Sequence, residues 1–398
     1  MQQLEKAILV GIITPKLKKS SAEEHLAELE RLAETAGATV TRVFMQRVLA
    51  FNPATLIGEG KVDEIKAALE ADNVKLIIFD DDLSGSQVRN LEERLPGIKV
   101  LDRTGIILDI FAKHAITAES RLMVEVAQLQ YLVPRLTHAW THLSRQAGGH
   151  GIGMCGPGES QLETDKRLIH KRIQELKKKL KKIEGARDRQ AERRSDIFQV
   201  GIVGYTNAGK STLTNRLTAS NVYVKDQLFA TLDSTMRKLY VGDGKSIILA
   251  DTVGFIRKLP PNLLDTFKST LGAASHANLI LEVVDATASD YKEHLEVTHK
   301  VLEGLIDPEV PRIILFNKAE SATPERRAEL TENYPGSLQA SAKENIGMEG
   351  LKNLLIKQMK IWEEKKFTAI QKQSENPDGV FSEMEKEEKE PEAQRIGL

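Results

Sequence analysis

Gly204, Tyr205, Thr206, Asn207, Ala208, Gly209, Lys210 and Ser211 place two glycines five residues apart, directly ahead of a lysine and a hydroxyl. An apolar stretch, FQVGIV, precedes them, and a helix-like STLTNRLTAS follows. A glycine loop between a strand and a helix lets backbone N–H groups close around phosphates. The helix that begins at Lys210, Ser211 and Thr212 adds its positive end. Lys210 is placed to reach the terminal phosphates. The Ser211 hydroxyl suits Mg²⁺, a hard cation that takes oxygen ligands.

Four further short motifs follow in order. Phe229, Ala230, Thr231, Leu232 and Asp233 form the first. Thr231 stands where nucleotide switches place a threonine that closes on Mg²⁺ and the γ-phosphate. Asp251, Thr252, Val253 and Gly254 come after the apolar SIILA. There a carboxylate can support the Mg²⁺ shell and the Gly254 N–H can meet the γ-phosphate. Asn317, Lys318, Ala319 and Glu320 follow RIILF, and Ser341, Ala342 and Lys343 follow a short strand near Leu338. Each motif is weak alone. Together, in this order, they predict a P-loop GTPase domain in which Lys210, Thr231 and Gly254 act on the reacting phosphate and Ser211 and Thr231 hold the metal.

Two positions depart from the usual pattern. Glu320 stands where an aspartate normally accepts two hydrogen bonds from guanine, so the carboxylate is one methylene longer. Phe255 stands where Ras-like proteins carry a water-orienting glutamine. A phenyl ring cannot orient water, which implies slow intrinsic hydrolysis or a catalytic group supplied otherwise.

The elements that position these loops are α/β in pattern. AILVGII at Ala7 to Ile13 is a buried-strand run. Leu26, Leu29, Leu32, Ala33 and Ala36 form a helical stripe that Gly37 stops. Strand-like TVTRVFMQRV, a turn at Asn52-Pro53, a helix over Lys61 to Ala71, a strand over Val74 to Phe79, a helix marked by Val88, Leu91 and Leu95, and a strand at Lys99 to Leu101 complete the alternation. This predicts an N-terminal parallel-sheet α/β domain over residues 1–112. Residues 113–196 read differently. Leu122, Val126, Leu129, Val133 and Leu136 make one heptad seam, and Leu162, Ile169, Ile173, Leu176, Leu180 and Ile183 another. A glycine-rich loop at 147–159 separates them. The pattern predicts a long antiparallel helical hairpin with a flexible tip. The GTPase domain then spans 197–366, and residues 367–398, with eight acidic and four basic side chains, read as a disordered acidic tail.

The chain has 398 residues, 56 basic and 57 acidic side chains, and a net charge of −1, so nothing in the total argues for a nucleic-acid partner. The charge is uneven, however: residues 163–194 hold 13 basic and 6 acidic side chains. Such a helix can neutralise phosphates and release counterions; a solvated helix face is the alternative. One cysteine excludes an internal disulfide framework and a cysteine-based zinc site. No apolar run approaches the ~20 residues of a membrane span, and no signal peptide is evident, so a cytoplasmic chain is expected.

Beyond the phosphate loop, the sequence resembles the HflX-type ribosome-associated GTPases. LIGEGKVDEI at 56–65, VLDRTGIILDIFAKHA at 100–115, VAQLQYLVPRL at 126–136, GPGESQLETDKR at 156–167 and LFATLDST at 228–235 carry the resemblance. It covers roughly residues 1–365 and departs at Glu320, at Met154-Cys155 and at Ser234 to Met236. The resemblance implies GTP and GDP as ligands, with the large ribosomal subunit and its rRNA as partner. The implied activity is splitting or rescue of stalled ribosomes. Nucleotide use by the N-terminal domain is implied for some members; here Gly58-Glu59-Gly60-Lys61 lacks full phosphate-loop spacing and reads first as a turn into a helix. Asn207 stands where potassium-stimulated GTPases carry an asparagine, so K⁺ joins Mg²⁺ as an expected cofactor. A monomer is expected. The alternative function is a ribosome-binding or ribosome-assembly switch with little turnover.

Overall fold

The computed structural model describes residues 5–15, 17–139, 157–218, 227–260, 263 and 274–375. The first sheet is formed by β1 (Glu5–Ile13), β2 (Ala38–Arg47), β3 (Leu76–Phe79) and β4 (Lys99–Asp102), all parallel, in the order β2-β1-β3-β4. It is connected by α1 (Lys19–Ala36), α2 (Glu59–Ala71) and α3 (Gly85–Arg94), and α4 (Arg103–His114) follows directly. The apolar run of β1 is explained by burial on both faces. Ala7 and Leu9 pack with α1 and α4, whereas Ile8, Val10 and Ile12 pack with α2 and α3. Gly11 permits the close approach of α1, because a Cβ there would lie 2.7 Å from a methyl of Leu26.

Helix α4 has no counterpart in the sequence-based pattern. Its first turn is capped by Asp102, which accepts from the Gly105 N–H at 2.8 Å. The same buried carboxylate accepts from the Leu83 N–H, the Tyr131 hydroxyl at 2.7 Å and Arg135 at 2.6 Å. Gly58 starts α2 in an extended conformation as its N-cap, and Lys61 pairs with Glu64, so this glycine segment is a turn into a helix.

Two long helices come next, α5 (Ala118–Ala139) and α6 (Pro157–Glu192). Arg172 pairs with Glu125 and Arg187 with Glu119, which makes them antiparallel. Ile173, Leu176 and Leu180 are buried along the seam, while Lys177, Lys178, Lys181 and Lys182 are exposed. Most of the glycine-rich segment predicted as the hairpin's tip lies outside the described residues.

The second sheet has the order β10-β9-β8-β5-β7-β6, from β5 (Gln199–Gly204), β6 (Thr235–Gly242), β7 (Lys245–Asp251), β8 (Leu279–Asp285), β9 (Arg312–Asn317) and β10 (Leu338–Gln339). Only β6 runs antiparallel, against β7. It is accompanied by α7 (Lys210–Thr218), α8 (Tyr291–Leu302), α9 (Pro324–Asn333) and α10 (Met348–Glu375). Helix α10 runs through Phe367 to Glu375, past the expected start of the acidic tail; residues 376–398 lie outside the description. Among the described residues no helix is long and apolar enough to cross a membrane.

The cores of the two sheets are not sealed from each other. Leu228, Phe229, Leu232, Val253 and Ile256, all from loops of the second sheet, join the cluster formed by α1, α4, α5 and α6. The loops that carry Thr231 and Gly254 therefore pack partly on the N-terminal half of the chain.

Asp102→Ala removes the cap of α4 and leaves Arg135 without its carboxylate. Loss of one partner of a buried pair costs about 3–5 kcal/mol. Denaturant unfolding of this variant is expected to show a midpoint lowered accordingly; an unchanged midpoint would exclude a structural role for Asp102.

Candidate nucleotide site

The phosphate loop joins β5 to α7. Gly204 (φ +143°) and Gly209 (φ +91°) adopt backbone angles closed to side chains, and Asn207 is left-handed at φ 58°. A Cβ at Gly204 would lie 2.1 Å from the Val283 carbonyl, and one at Gly209 would lie 2.3 Å from Asn317 Nδ2. Thr206, Asn207, Gly209, Lys210, Ser211, Thr212, Phe229, Ala230, Thr231 and Gly254 line one cleft, together with Gln227 and Thr252. Lys210 Nζ donates to the carbonyls of Gly204 and Tyr205 at 3.0 and 2.8 Å. A Cβ on Gly254 would approach Thr206 Cα at 2.8 Å and Lys210 Nζ at 2.9 Å, so this segment rests directly on the loop.

The donor set suits a hard cation. Ser211 Oγ and Thr231 Oγ1 lie 2.7 Å apart. Asp251, at the end of β7, is 2% exposed, and its Oδ1 has no hydrogen-bond partner. Three oxygen-bearing side chains with an orphaned carboxylate oxygen match what Mg²⁺ accepts. Burial pushes the Asp251 carboxyl above the ordinary carboxylate range, and Ser211 and Lys210 oppose that shift. Such a carboxylate gains from a cation beside it.

At the end of β9, Asn317 Nδ2 donates to the Ala208 carbonyl at 2.9 Å, and its Oδ1 accepts from the Ala342 N–H at 3.0 Å. One amide thus ties the phosphate loop to the Ser341–Lys343 segment. Lys318, left-handed at φ 63°, pairs with Asp285 at 2.8 Å. Ala319 is buried, and Ser341 Oγ accepts from the Glu344 N–H at 2.9 Å. Glu320 is exposed, in the short helical turn Ala319–Ser321. Arg216 on α7 was not evident as a site residue. Its guanidinium braces the carbonyls of Ala342 and Lys343 at 3.0 and 2.8 Å, and only the fold brings them together.

Several predicted residues turn their side chains elsewhere. Phe229, Leu232 and Val253 are core. Asp233 bonds to Thr117. Tyr205 contributes only backbone to the loop. Its ring stacks on His294 at 3.6 Å, and its hydroxyl donates to Glu28 at 2.5 Å and accepts from the Arg257 N–H at 2.8 Å. Around that hydroxyl lies a buried ion cluster. Arg103 contacts Glu28 and pairs with Asp80 at 2.7 Å; Arg257 pairs with Glu28, Asp290 and Glu293; Lys258 pairs with Asp80 and Asp81. Burial lowers Arg103 to about 10 and raises Tyr205 to about 12. The basic pair Arg257-Lys258, two residues beyond Phe255, is the sequence signal that could have pointed to this cluster. Phe255 is itself 2% exposed; its N–H donates to the Gly204 carbonyl and its carbonyl accepts from the Thr206 N–H. Its ring packs with Val203 and Ile280, within the core.

Lys210 is 6% exposed, and burial lowers its pKa to about 8 against the opposing pull of Asp251. In the free protein the lysine is thus largely neutral above pH 8, whereas bound phosphates favour its charged form. Nucleotide binding should take up a proton above that pH, and GTP affinity should fall about tenfold between pH 7 and pH 9. Stability has the opposite sign. The unfolded chain holds more protons between about 8 and the ordinary lysine value, so this group's contribution rises with pH there. Calorimetric titrations in buffers of different ionisation enthalpy check the uptake.

The same architecture occurs in known proteins. Family models match residues 23–112 (GTP-binding GTPase N-terminal), 114–194 (GTP-binding GTPase middle region) and 199–318 (50S ribosome-binding GTPase). GTPase HflX of Caldanaerobacter subterraneus is 47% identical over 353 residues, covering 87% of this chain and 79% of that protein. GTPase HflX of Escherichia coli is 44% identical over 348 residues, covering 86% and 80%. A solved complex of SsGBP with GDP shares the fold with a TM-score of 0.50 at 24% identity, covering 90% of this chain and 99% of that one. With the family shown over most of its length and a GTPase domain carrying all five loops, this chain belongs to the HflX family of GTPases and is a GTP hydrolase.

Proposed function

We propose that the protein couples GTP bound at the phosphate loop to binding of the large ribosomal subunit, and that it splits or rescues ribosomes as a cytoplasmic monomer. The observation that carries this reading is the two-sided character of α6. Ile173, Leu176 and Leu180 face the seam with α5, while Lys177, Lys178, Lys181 and Lys182 are exposed. A helix held in place by one face presents its basic face to phosphates, and rRNA is the phosphate-rich partner. The match to a model described as a 50S ribosome-binding GTPase supports the same partner.

In this reading the Lys210 ammonium and the loop N–H groups hold the β- and γ-phosphates, and the Gly254 N–H meets the γ-phosphate. Ser211, Thr231 and Asp251 hold Mg²⁺, which neutralises charge on the phosphate oxygens when bound. Asn207 supplies a side-chain oxygen to K⁺ beside the phosphates. Asn317, Lys318, Ala319 and Glu320 with Ser341, Ala342 and Lys343 take the base. Phe255 favours a second reading, a ribosome-binding or assembly switch with little turnover, because its ring is packed into the core, where it cannot orient water.

Multiple-turnover hydrolysis, measured with and without large subunits in K⁺ and in Na⁺, separates the two. The enzyme reading expects faster turnover on added subunits and in K⁺, with Lys210→Ala removing most GTP affinity. Stoichiometric hydrolysis without turnover would leave the switch reading. Reversal of charge at Lys177, Lys178, Lys181 and Lys182 is expected to weaken subunit binding and flatten its salt dependence, since fewer counterions are released, while GTP affinity stays at the parental value. An unaltered salt slope would remove α6 from the interface.

A further inference from the structure

The short connection between α4 and α5, at the root of the helical hairpin, is bonded to the loop that carries Thr231. His114, the last residue of α4, places Nδ1 2.8 Å from the Phe229 carbonyl, and the Phe111 ring meets Phe229 edge-on at 4.6 Å. On the other side of Thr231, the Asp233 carboxylate accepts from the Thr117 hydroxyl at 2.5 Å and from the Ile116 N–H at 3.2 Å. Thr117 is also the cap of α5, since its Oγ1 accepts from the Ser120 N–H at 3.1 Å. Beyond Asp233, Arg187 of α6 donates to Ser234 Oγ at 2.5 Å. Both flanks of the Thr231 loop are therefore tied to the hairpin's base. Between them Thr231 Oγ1 sits 2.7 Å from Ser211 Oγ.

We propose that Thr117 and His114 are positioning residues for GTP: they hold the Thr231 loop against the phosphate loop in advance of the nucleotide. A loop already ordered binds its ligand without the cost of ordering it. Only GTP has the γ-phosphate that Thr231 would meet, so the latch favours GTP over GDP. By linkage the coupling is reciprocal. A partner that pulls the hairpin's root from Asp233 weakens GTP, and GTP resists that displacement. This inference rests on the nucleotide reading of the phosphate loop.

The test is equilibrium binding of a fluorescent non-hydrolysable GTP analogue and of the matching GDP derivative, with Mg²⁺, to the full chain. Loss of a hydrogen bond to a charged group corresponds to about a tenfold change. Thr117→Val is expected to lower affinity for the GTP analogue about tenfold and leave GDP within about twofold, and Thr117→Ser, which keeps both the cap and the bond to Asp233, is expected to restore the parental ratio. His114→Ala, which leaves the α5 cap untouched, should shift the ratio the same way and stands in if Thr117→Val fails to fold. Equal losses for both nucleotides, or an unchanged ratio in both variants, overturn the latch while leaving the nucleotide site intact. A parent chain that binds neither nucleotide overturns both readings.

Discussion

The Glu28 carboxylate, 2% exposed, is held away from water by donors from three distant parts of the chain. Arg103 comes from the start of α4, Tyr205 from the phosphate loop and Arg257 from the segment after Gly254. A buried carboxylate is tolerated only while its partners remain, and removal of one partner is far more damaging than removal of an exposed pair. The N-terminal sheet and the GTPase sheet therefore cannot separate without stranding charge. The position of α1 relative to the phosphate loop follows from this, and so does the sharing of one core between α1, α4, α5, α6 and the loops that carry Thr231 and Gly254.

With the halves held together, the segments that carry Gly254 and Thr231 both have neighbours outside their own sheet. Arg257 and Lys258, downstream of Gly254, are paired with Glu28, Asp80 and Asp81 of the N-terminal half. The Thr231 loop is paired with the base of the hairpin. The phosphate loop supplies the common wall. Its Tyr205 carbonyl takes Lys210 while its Tyr205 hydroxyl donates to Glu28, so a single residue serves the phosphate loop with its backbone and the N-terminal half with its side chain.

The turn of the phosphate loop was legible in the sequence because its constraints are backbone constraints. Gly204 and Gly209 are dictated by φ angles and close contacts that a side chain would violate, and these fall at fixed spacing. The first sheet was legible because β1 buries both faces and reads as an unbroken apolar run. Helix α4 was not legible. Ile106, Ile107, Leu108, Ile110 and Phe111 are all buried, so no polar face marks a 3.6-residue period. Glu28 was hidden for a different reason: on an amphipathic helix a glutamate reads as solvated surface, and its partners lie far along the chain. Asp233 was assigned to the nucleotide by its place in a motif, whereas its carboxylate serves Thr117 and Ile116. Motif position specifies the path of the backbone, and the direction of a side chain is decided by what packs beside it.

The length of α6 has a mechanical consequence. Its 36 residues span about 54 Å at 1.5 Å per residue. Arg187, the contact with Ser234, lies close to its C-terminal end, and Pro157 lies about 45 Å away. A tilt of about 5° around Arg187 would move the Pro157 end by about 4 Å. The pair thus has the proportions of a lever, short on the side of the loop that carries Thr231 and long toward Pro157.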